Sequence, residues 1–308
     1  MALKIIVLAA GSGRRMKSSK PKVMHEIAGT PMISHVLKAV SPLSREKTLL
    51  VYNESQKTMQ YFLDEFNVEW VLQKEQLGTG HAVMQTLPFL NDEDIVLITF
   101  GDIPLIRSET LKSIVRSGEK NGFCILSVVL DEPQGYGRLV RDSDGLLREI
   151  IESSDLRPSS RNLRECNTGI FSLKASYLKK WLPKLSNDNA QGEFYLTDCI
   201  AMAVDEGVKI ATESIVDANE VLGVNTRVDL AKVERTYQLR VAAELMESGV
   251  TLLDPNRIDV RGRLMCGKDV IIDINNVFIG DVSIDNDAYI GANNVIVNTH
   301  IGKNVTIK

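Results

Sequence analysis

The sequence predicts an α/β protein with a mostly parallel sheet, followed by a long linking helix and the start of a parallel β-helix of hexapeptide repeats. Three observations predict it. Short apolar runs alternate with amphipathic helical patterns through the first two thirds of the chain, a charged helical stretch follows, and beyond it apolar residues recur every sixth position. The expected divisions are residues 1–226, 227–249 and 250–308.

The strand candidates are 4–9, 47–51, 68–73, 94–100, 123–130, 137–141 and 164–173, rich in Val, Ile, Leu and Phe. Between them, Met32, Ile33, Val36, Leu37 and Val40 fall on one helical face after Pro31, and Leu111, Ile114 and Val115 do so after Ser108. Strands alternating with helices imply a parallel sheet covered on both faces, whose ligands sit beyond the carboxyl ends of the strands. The first strand opens there into Gly11-Ser12-Gly13-Arg14-Arg15-Met16 and reaches Pro21-Lys22. Glycines let backbone N–H groups approach phosphate oxygens, while Arg15 and Lys22 supply the positive charge a triphosphate needs. The loop is neither a dinucleotide fingerprint, which needs a third glycine where Met16 stands, nor a P-loop, since Gly-Lys-Ser/Thr is nowhere in the chain.

Other stretches carry chemistry more weakly. Gln73-Lys74-Glu75-Gln76-Leu77-Gly78-Thr79-Gly80-His81-Ala82 turns through glycines into a helix, and an amide such as Gln73 can pair with a donor and an acceptor on a base edge. Phe100-Gly101-Asp102 follows a hydrophobic strand, so Asp102 is either an oxygen ligand for a hard cation or a capping residue of the turn. Asn225, at the entrance to the long helix, is a second candidate ligand or a helix cap. Gln134-Gly135-Tyr136-Gly137-Arg138, Glu149-Ile150-Ile151-Glu152, Glu165-Cys166-Asn167-Thr168-Gly169 and the polar loop 187–198, with Thr197, suit hydroxyl and amide recognition on a sugar.

The long helix is expected over roughly Arg227–Ser248, with Val228, Ala231, Val233, Leu239, Ala242, Ala243 and Met246 interleaved with charge and Gly249 ending it. Val260, Cys266, Ile272, Phe278, Ile284, Ile290 and Ile296 then recur at intervals of six, slipping to five at Ile301. Such a period fits a coil whose sixth residue points inward, with corners at Gly280, Asp281, Asn286, Gly291 and Asn294; an antiparallel sheet with irregular turns is the alternative. No cap follows the repeat, so the chain reads as a shortened version of a longer protein.

A net charge of -4 gives no electrostatic reason to expect nucleic acid or an anionic membrane as partner. The apolar run at Ile5–Ala10 is too short to span a bilayer and lacks a signal-peptide pattern, which places the protein in the cytoplasm. Cys124, Cys166, Cys199 and Cys266 are scattered without metal-site spacing and are expected to fill core space as thiols.

Leu8, Gly11, Gly13, Arg15, Met16, Pro21 and Lys22 match in order the Leu-x-x-Gly-x-Gly-x-Arg-Met…Pro-Lys signature of the sugar-1-phosphate nucleotidyltransferases. With the later stretches and the repeats, the whole chain resembles the bacterial bifunctional N-acetylglucosamine-1-phosphate uridyltransferase/glucosamine-1-phosphate acetyltransferase family. The resemblance implies a Rossmann-like nucleotidyltransferase domain, a left-handed β-helix, and Mg²⁺-dependent transfer of UMP from UTP to N-acetylglucosamine-1-phosphate for cell-wall and lipopolysaccharide precursors. It implies that Leu8, Ala9, Ala10, Gly11, Arg15 and Lys22 hold the nucleotide phosphates and that Gln73, Gly78 and Thr79 read uracil. Arg15, Lys22 and Asp102 are the implied catalytic groups, and Asp102 with Asn225 the implied Mg²⁺ ligands. Phe100, Gly101, Asp102, Gly137, Glu152, Asn167, Thr197 and Asn225 are the implied sugar-side residues. Phe100 departs from the family's Tyr-Gly-Asp, so a hydroxyl is absent while the ring can still pack. The family's acetyltransferase site lies further along the β-helix of a homotrimer, so this chain is expected to transfer uridylyl but not acetyl groups and to be monomeric or weakly associating. A related enzyme forming ADP-glucose, GDP-mannose or dTDP-glucose, or a non-catalytic scaffold of the same fold, is the alternative.

Overall fold

The computed structural model describes residues 2–133 and 135–308, so Gln134 of the sugar-side stretch lies outside the described residues. The chain divides into two compact units, the first comprising residues up to Met24 together with Ile33–Gly223, the second His25–Met32 together with Val224–Lys308.

In the first unit, nine strands among the described residues form one sheet, with Leu3–Leu8 near its middle. Leu3–Leu8 pairs in parallel with Ile95–Phe100 on one side and Thr48–Tyr52 on the other, and Thr48–Tyr52 pairs in parallel with Val68–Leu72. Glu165–Lys174 runs antiparallel between Ile95–Phe100 and Phe123–Val129, and Ala211–Ile215 closes the far edge in parallel with Phe123–Val129. Arg138–Arg141 and Leu147–Ile151 form an antiparallel pair attached to Glu165–Lys174 at Cys166. The strands at 147–151 and 211–215 are additions to the expected set: Ala-Thr-Glu-Ser-Ile carries few apolar residues, and Leu-Arg-Glu-Ile-Ile lacks the strict alternation of a half-buried strand.

The sheet is buried on both faces, since residues of alternating parity along Leu3–Leu8 enter two different cores. Ile6 and Leu8 join Val96, Phe123, Phe171 and Trp181, while Ile5 and Val7 join Ile33, Leu97, Leu111 and Ile114. Helix Met32–Val40 buries the five apolar residues of its expected face, and helix Ser108–Asn121 buries Leu111, Ile114 and Val115. Because Ile95–Phe100 is parallel and Glu165–Lys174 antiparallel to the central strand, residues 9–11, 73, 101–102 and 165–167 all emerge at one edge of the sheet.

In the second unit, helix Arg227–Glu247 begins at a Thr226 cap, whose hydroxyl oxygen accepts the Asp229 N–H while the Asp229 carboxylate accepts those of Asn225 and Thr226. The capping side chain is therefore Thr226 and not Asn225: Thr226 stands three residues before Asp229, the spacing of a reciprocal capping box. Val228, Ala231, Leu239, Ala243 and Met246 of the expected apolar set are exposed, and the buried stripe is Val233, Gln238, Ala242 and Leu245. The short antiparallel pair Glu26–Ile27 and Thr30–Pro31 belongs to this unit, because the Ala28 N–H donates to Glu234 Oε2 at 2.7 Å.

The six-residue period generates parallel pairing between successive turns of a coil. Val260, Phe278 and Ile296 stack as one column, Cys266, Ile284 and Ile301 as a second, and Ile272, Ile290 and Ile307 as a third. The side-chain ladder from Asn275 to Asn293 spans 18 residues, three hexads to a turn, and the slip at Ile301 shortens later pairings such as Ser283 to His300 to 17. Positive φ falls at Asp269, Asn275, Gly280, Asp287, Asn293, Asn298 and Asn304. Of the expected corners only Gly280 has this conformation, and Asn286 shares its turn with Asp287, which adopts it. Asn and Asp enter the left-handed region more readily than other side chains, so composition does not say which residue of a polar cluster takes it.

Candidate active site

Leu8 ends the central strand, and Leu8, Ala9 and Ala10 are buried while Gly11 is exposed. The carbonyl oxygens that follow are held from below by two buried amides: Asn53 Nδ2 donates to Ala10 O at 2.7 Å, and Gln56 Nε2 to Ala9 O at 3.0 Å and Gly11 O at 3.2 Å. The Ala9 N–H continues the sheet by donating to Val51 O at 2.9 Å, and with the carbonyls of residues 9–11 engaged by side chains the turn beyond it has the composition of an anion-binding loop. Asn53 and Gln56 are missing from the candidate residues above. Their signal was the Asn-x-x-Gln spacing after an apolar strand, in which Gln56 Oε1 also accepts the Asn53 N–H.

Gly13 has φ +61°, and a Cβ there would stand 2.7 Å from the Lys22 Cβ, so only glycine lets the Lys22 stem pass. Lys22 Nζ forms an ion pair and hydrogen bond with Asp102 Oδ2, the two side chains being 13% and 17% exposed. The sheet extends through Gly101, whose N–H donates to Leu8 O at 2.9 Å, and this sets Asp102 next to the loop. Asp102 is thus an ion-pairing carboxylate. Arg15 is exposed. Among the described residues no group of three or more His, Cys, Asp or Glu side chains could hold a metal ion. A divalent cation at Asp102 would draw its remaining ligands largely from water and substrate phosphate, the usual manner of Mg²⁺, so a lone carboxylate fits that ion better than Ca²⁺ or Zn²⁺. Asn225 belongs to the second unit.

Gln73 follows the strand Val68–Leu72 and is buried, its Nε2 3.2 Å from Gly78 O and 3.1 Å from His81 Nδ1. The Gly78-Thr79-Gly80 turn is clasped by the 187–197 loop: Phe194 N–H donates to Leu77 O, Gly80 N–H to Phe194 O, and Leu196 N–H to Thr79 Oγ1. Thr79 thus commits one lone pair of its hydroxyl to the protein and keeps the O–H as a donor beside the backbone of the turn.

Gly137, Glu152, Asn167 and Thr197 come together on the neighbouring strand ends. Asn167 N–H donates to Gly137 O at 2.9 Å, Thr197 Oγ1 donates to Glu152 Oε1 at 2.8 Å, and a Cβ on Gly137 would lie 3.4 Å from Glu152 Oε2. Asn167 Oδ1 accepts the Gly169 N–H at 2.9 Å, which turns the Nδ2 donor outward from that turn. Phe100 packs its ring over Gly169, where a Cβ would stand 2.3 Å from a ring carbon. Burial pushes the Glu152 carboxyl above its usual value, helped by the nearby Asp198, Asp155 and Glu193 charges and opposed by the Thr197 hydrogen bond. The thiols take no part: burial lifts Cys124 to about 11 and Cys199 and Cys266 to about 12, out of the nucleophilic range.

The MobA-like NTP transferase domain family matches residues 5–165. The bifunctional protein GlmU of Marinobacter nauticus is 47% identical over 306 residues, 99% of this chain and 67% of that protein. The bifunctional protein GlmU of Chromohalobacter salexigens is 46% identical over 308 residues, 100% of this chain and 68% of that protein. The chain thus spans about two thirds of the length of these curated relatives. Among solved structures, one described as a glucose-1-phosphate thymidylyltransferase of Bacillus anthracis superposes with a TM-score of 0.60 at 19% identity, covering 76% of this chain and 94% of that one, and shares the fold. Identity near one half along the entire chain, with an NTP transferase domain over the phosphate loop, makes this protein a nucleotidyltransferase and a member of the bifunctional GlmU family.

Proposed function

We propose that the chain is a UDP-N-acetylglucosamine pyrophosphorylase, transferring UMP from UTP to N-acetylglucosamine-1-phosphate with release of pyrophosphate, as its family resemblance implies. The observation that carries the reading is the Lys22–Asp102 pair beside the Gly11–Gly13 turn. It supplies an ammonium for phosphoryl oxygens and a carboxylate for a metal where the parallel strands end, and no general base is assigned to the reaction. None is needed, because the attacking oxygen of the sugar phosphate is already ionised. That oxygen forms a bond to the α-phosphorus of UTP as the bond to the bridging oxygen breaks, and pyrophosphate carries the charge away.

The protein's task is to hold two polyanions in line. Backbone N–H groups of residues 10–13 take phosphate oxygens, Arg15 adds charge at the exposed rim, and Lys22 exchanges the Asp102 carboxylate for the phosphoryl group when nucleotide arrives. Mg²⁺, when bound at Asp102, supplies Lewis-acid neutralisation of the phosphates. The resemblance alone adds Asn225 to its ligands. Gln73, Gly78 and Thr79 take the base. Asn167 Nδ2 and the Gly137 backbone take the acetamide, and Glu152 with Thr197 takes a sugar hydroxyl. We assign this chemistry to residues 1–226, with 227–249 as the linking helix and 250–308 as the repeat portion. The cytoplasm, where nucleotides and sugar phosphates are held and thiols stay reduced, is the corresponding location.

Pyrophosphate release with five nucleoside triphosphates against a panel of sugar phosphates tests the reading. UTP with N-acetylglucosamine-1-phosphate is expected to exceed every other pair, and glucosamine-1-phosphate to be poor because Asn167 would be left unpaired. A preference for dTTP or ATP with glucose-1-phosphate would overturn it.

A further inference from the structure

We propose that His81 is a positioning residue that fixes the direction of the Gln73 amide, so that the base edge meets a hydrogen-bond acceptor and, among pyrimidines facing it through N3, the site selects those bearing a proton there. The inference rests on the nucleotidyl-transfer reading above and names the source of its base selectivity. Gln73 is 3% exposed. A carbonyl oxygen can only accept, so Gly78 O, 3.2 Å away, sets the nitrogen end of the amide and not its oxygen toward the turn. His81 Nδ1 lies 3.1 Å from that same nitrogen and must receive its other N–H through a lone pair. Both amide protons are then spent inside the protein. The Gln73 oxygen, which no group among the described residues engages, is the atom left for a ligand.

This arrangement requires the His81 proton on Nε2. Gln85 Nε2 lies 3.2 Å from that ring nitrogen and 3.0 Å from His81 O, so two donors would face each other there. Either amide loses a carbonyl acceptor if it turns, but half-exposed Gln85 can swing away and leave His81 O to water, whereas Gln73, 3% exposed, would leave Gly78 O facing its own oxygen. The ring is held in place by Phe194, whose centroid is 6.4 Å away. An acceptor-only reader pairs with the N3–H of uracil or thymine and repels the N3 lone pair of cytosine. A freely turning glutamine would accept either base. His81 therefore converts an ambivalent amide into a selective one.

The test compares kcat/KM for UTP, CTP and N3-methyl-UTP. The native chain is expected to prefer UTP over both others by at least about 100-fold, since a site built to hydrogen-bond a substrate N–H rejects analogues lacking it. His81→Leu removes the acceptor and is expected to lower the UTP/CTP ratio about tenfold, through KM for nucleotide with KM for sugar phosphate unchanged. His81→Asn, whose side-chain oxygen can stand near the Nδ1 position, should restore most of the ratio. Equal use of UTP and N3-methyl-UTP by the native chain overturns the acceptor assignment without any variant. An unchanged UTP/CTP ratio in His81→Leu overturns the role of His81. Absence of any nucleotidyl transfer by the native chain would instead count against the underlying reaction.

Discussion

Lys22 and Asp102 stand 80 positions apart in the chain and neutralise each other where phosphate is expected to bind. Lys22→Ala is expected to lower turnover about 100- to 1000-fold, the usual effect of losing one preorganised charge contact on a developing anion. The accompanying loss of stability should be about 1–2 kcal/mol, between that of an exposed pair and a fully buried one, because the side chains are 13% and 17% exposed. Steady-state kinetics and urea unfolding of the same variant separate the two, and a rate within threefold of the native one would remove Lys22 from the mechanism. Glu152 offers a pH signature. Its carboxyl is raised in the folded protein chiefly by burial, so the folded state holds the proton more tightly than the unfolded chain does. Its contribution to stability is complete below the ordinary glutamate range and is lost as pH rises through the elevated folded value. Glu152→Gln is therefore expected to raise the melting temperature at pH 7.5 and to leave it nearly unchanged at pH 4. A gain of equal size at both pH values would mean that burial of the charge is not the cause.

At the scale of elements, helix Arg227–Glu247 docks on the repeat portion through apolar packing of Ala242 and Leu245, an ion pair from Arg235 to Asp259 and one buried amide. Gln238 is 1% exposed, and it accepts the Val260 N–H at 2.8 Å while donating to Val260 O at 3.0 Å. It thereby imitates a neighbouring strand and closes the open edge of the first repeat strand, which would otherwise carry unpaired backbone groups. Gln238→Leu keeps the bulk and removes both bonds, leaving two buried backbone groups unsatisfied. Each such group costs about 1–3 kcal/mol, so chemical denaturation should show a loss of at least about 2 kcal/mol. Gln238→Glu keeps the acceptor but sets a second carboxylate where Nε2 stands 2.9 Å from Glu234 Oε1, and is expected to lose at least as much at neutral pH. The weak apolar pattern of this helix is explained by the same contact, since a polar residue fills the centre of its buried stripe.

At the scale of the whole molecule, the two compact units have separate hydrophobic clusters, two flanking the sheet and one inside the repeat coil. Phe278 is 1% exposed within the coil and is its largest fully buried side chain. Phe278→Ala should cost the second unit about 3–5 kcal/mol. Scanning calorimetry is expected to resolve two transitions, of which the variant moves one. A single transition displaced as a whole would show that the cores unfold cooperatively.

The sequence by itself determined what is periodic or contiguous. Alternating apolar runs placed the strands, one-face spacing placed helices Met32–Val40 and Ser108–Asn121, the six-residue interval produced three interior columns, and the Gly11–Lys22 segment identified the phosphate loop. These features repeat on the geometric periods of the backbone, so neighbouring residues suffice to reveal them. Sequence also supplied Gly137, Glu152, Asn167 and Thr197 as separate weak hints, and folding made them adjacent because antiparallel Glu165–Lys174 turns its start toward the ends of the parallel strands. What only the tertiary structure decided were contacts between distant positions. These are the Lys22–Asp102 pair, the bond from Ala28 to Glu234 across 206 positions that draws residues 25–32 into the second unit, and the direction of the Gln73 amide. Each depends on strand register and on which polar atom finds a partner once water is excluded, and neither quantity has a period along the chain.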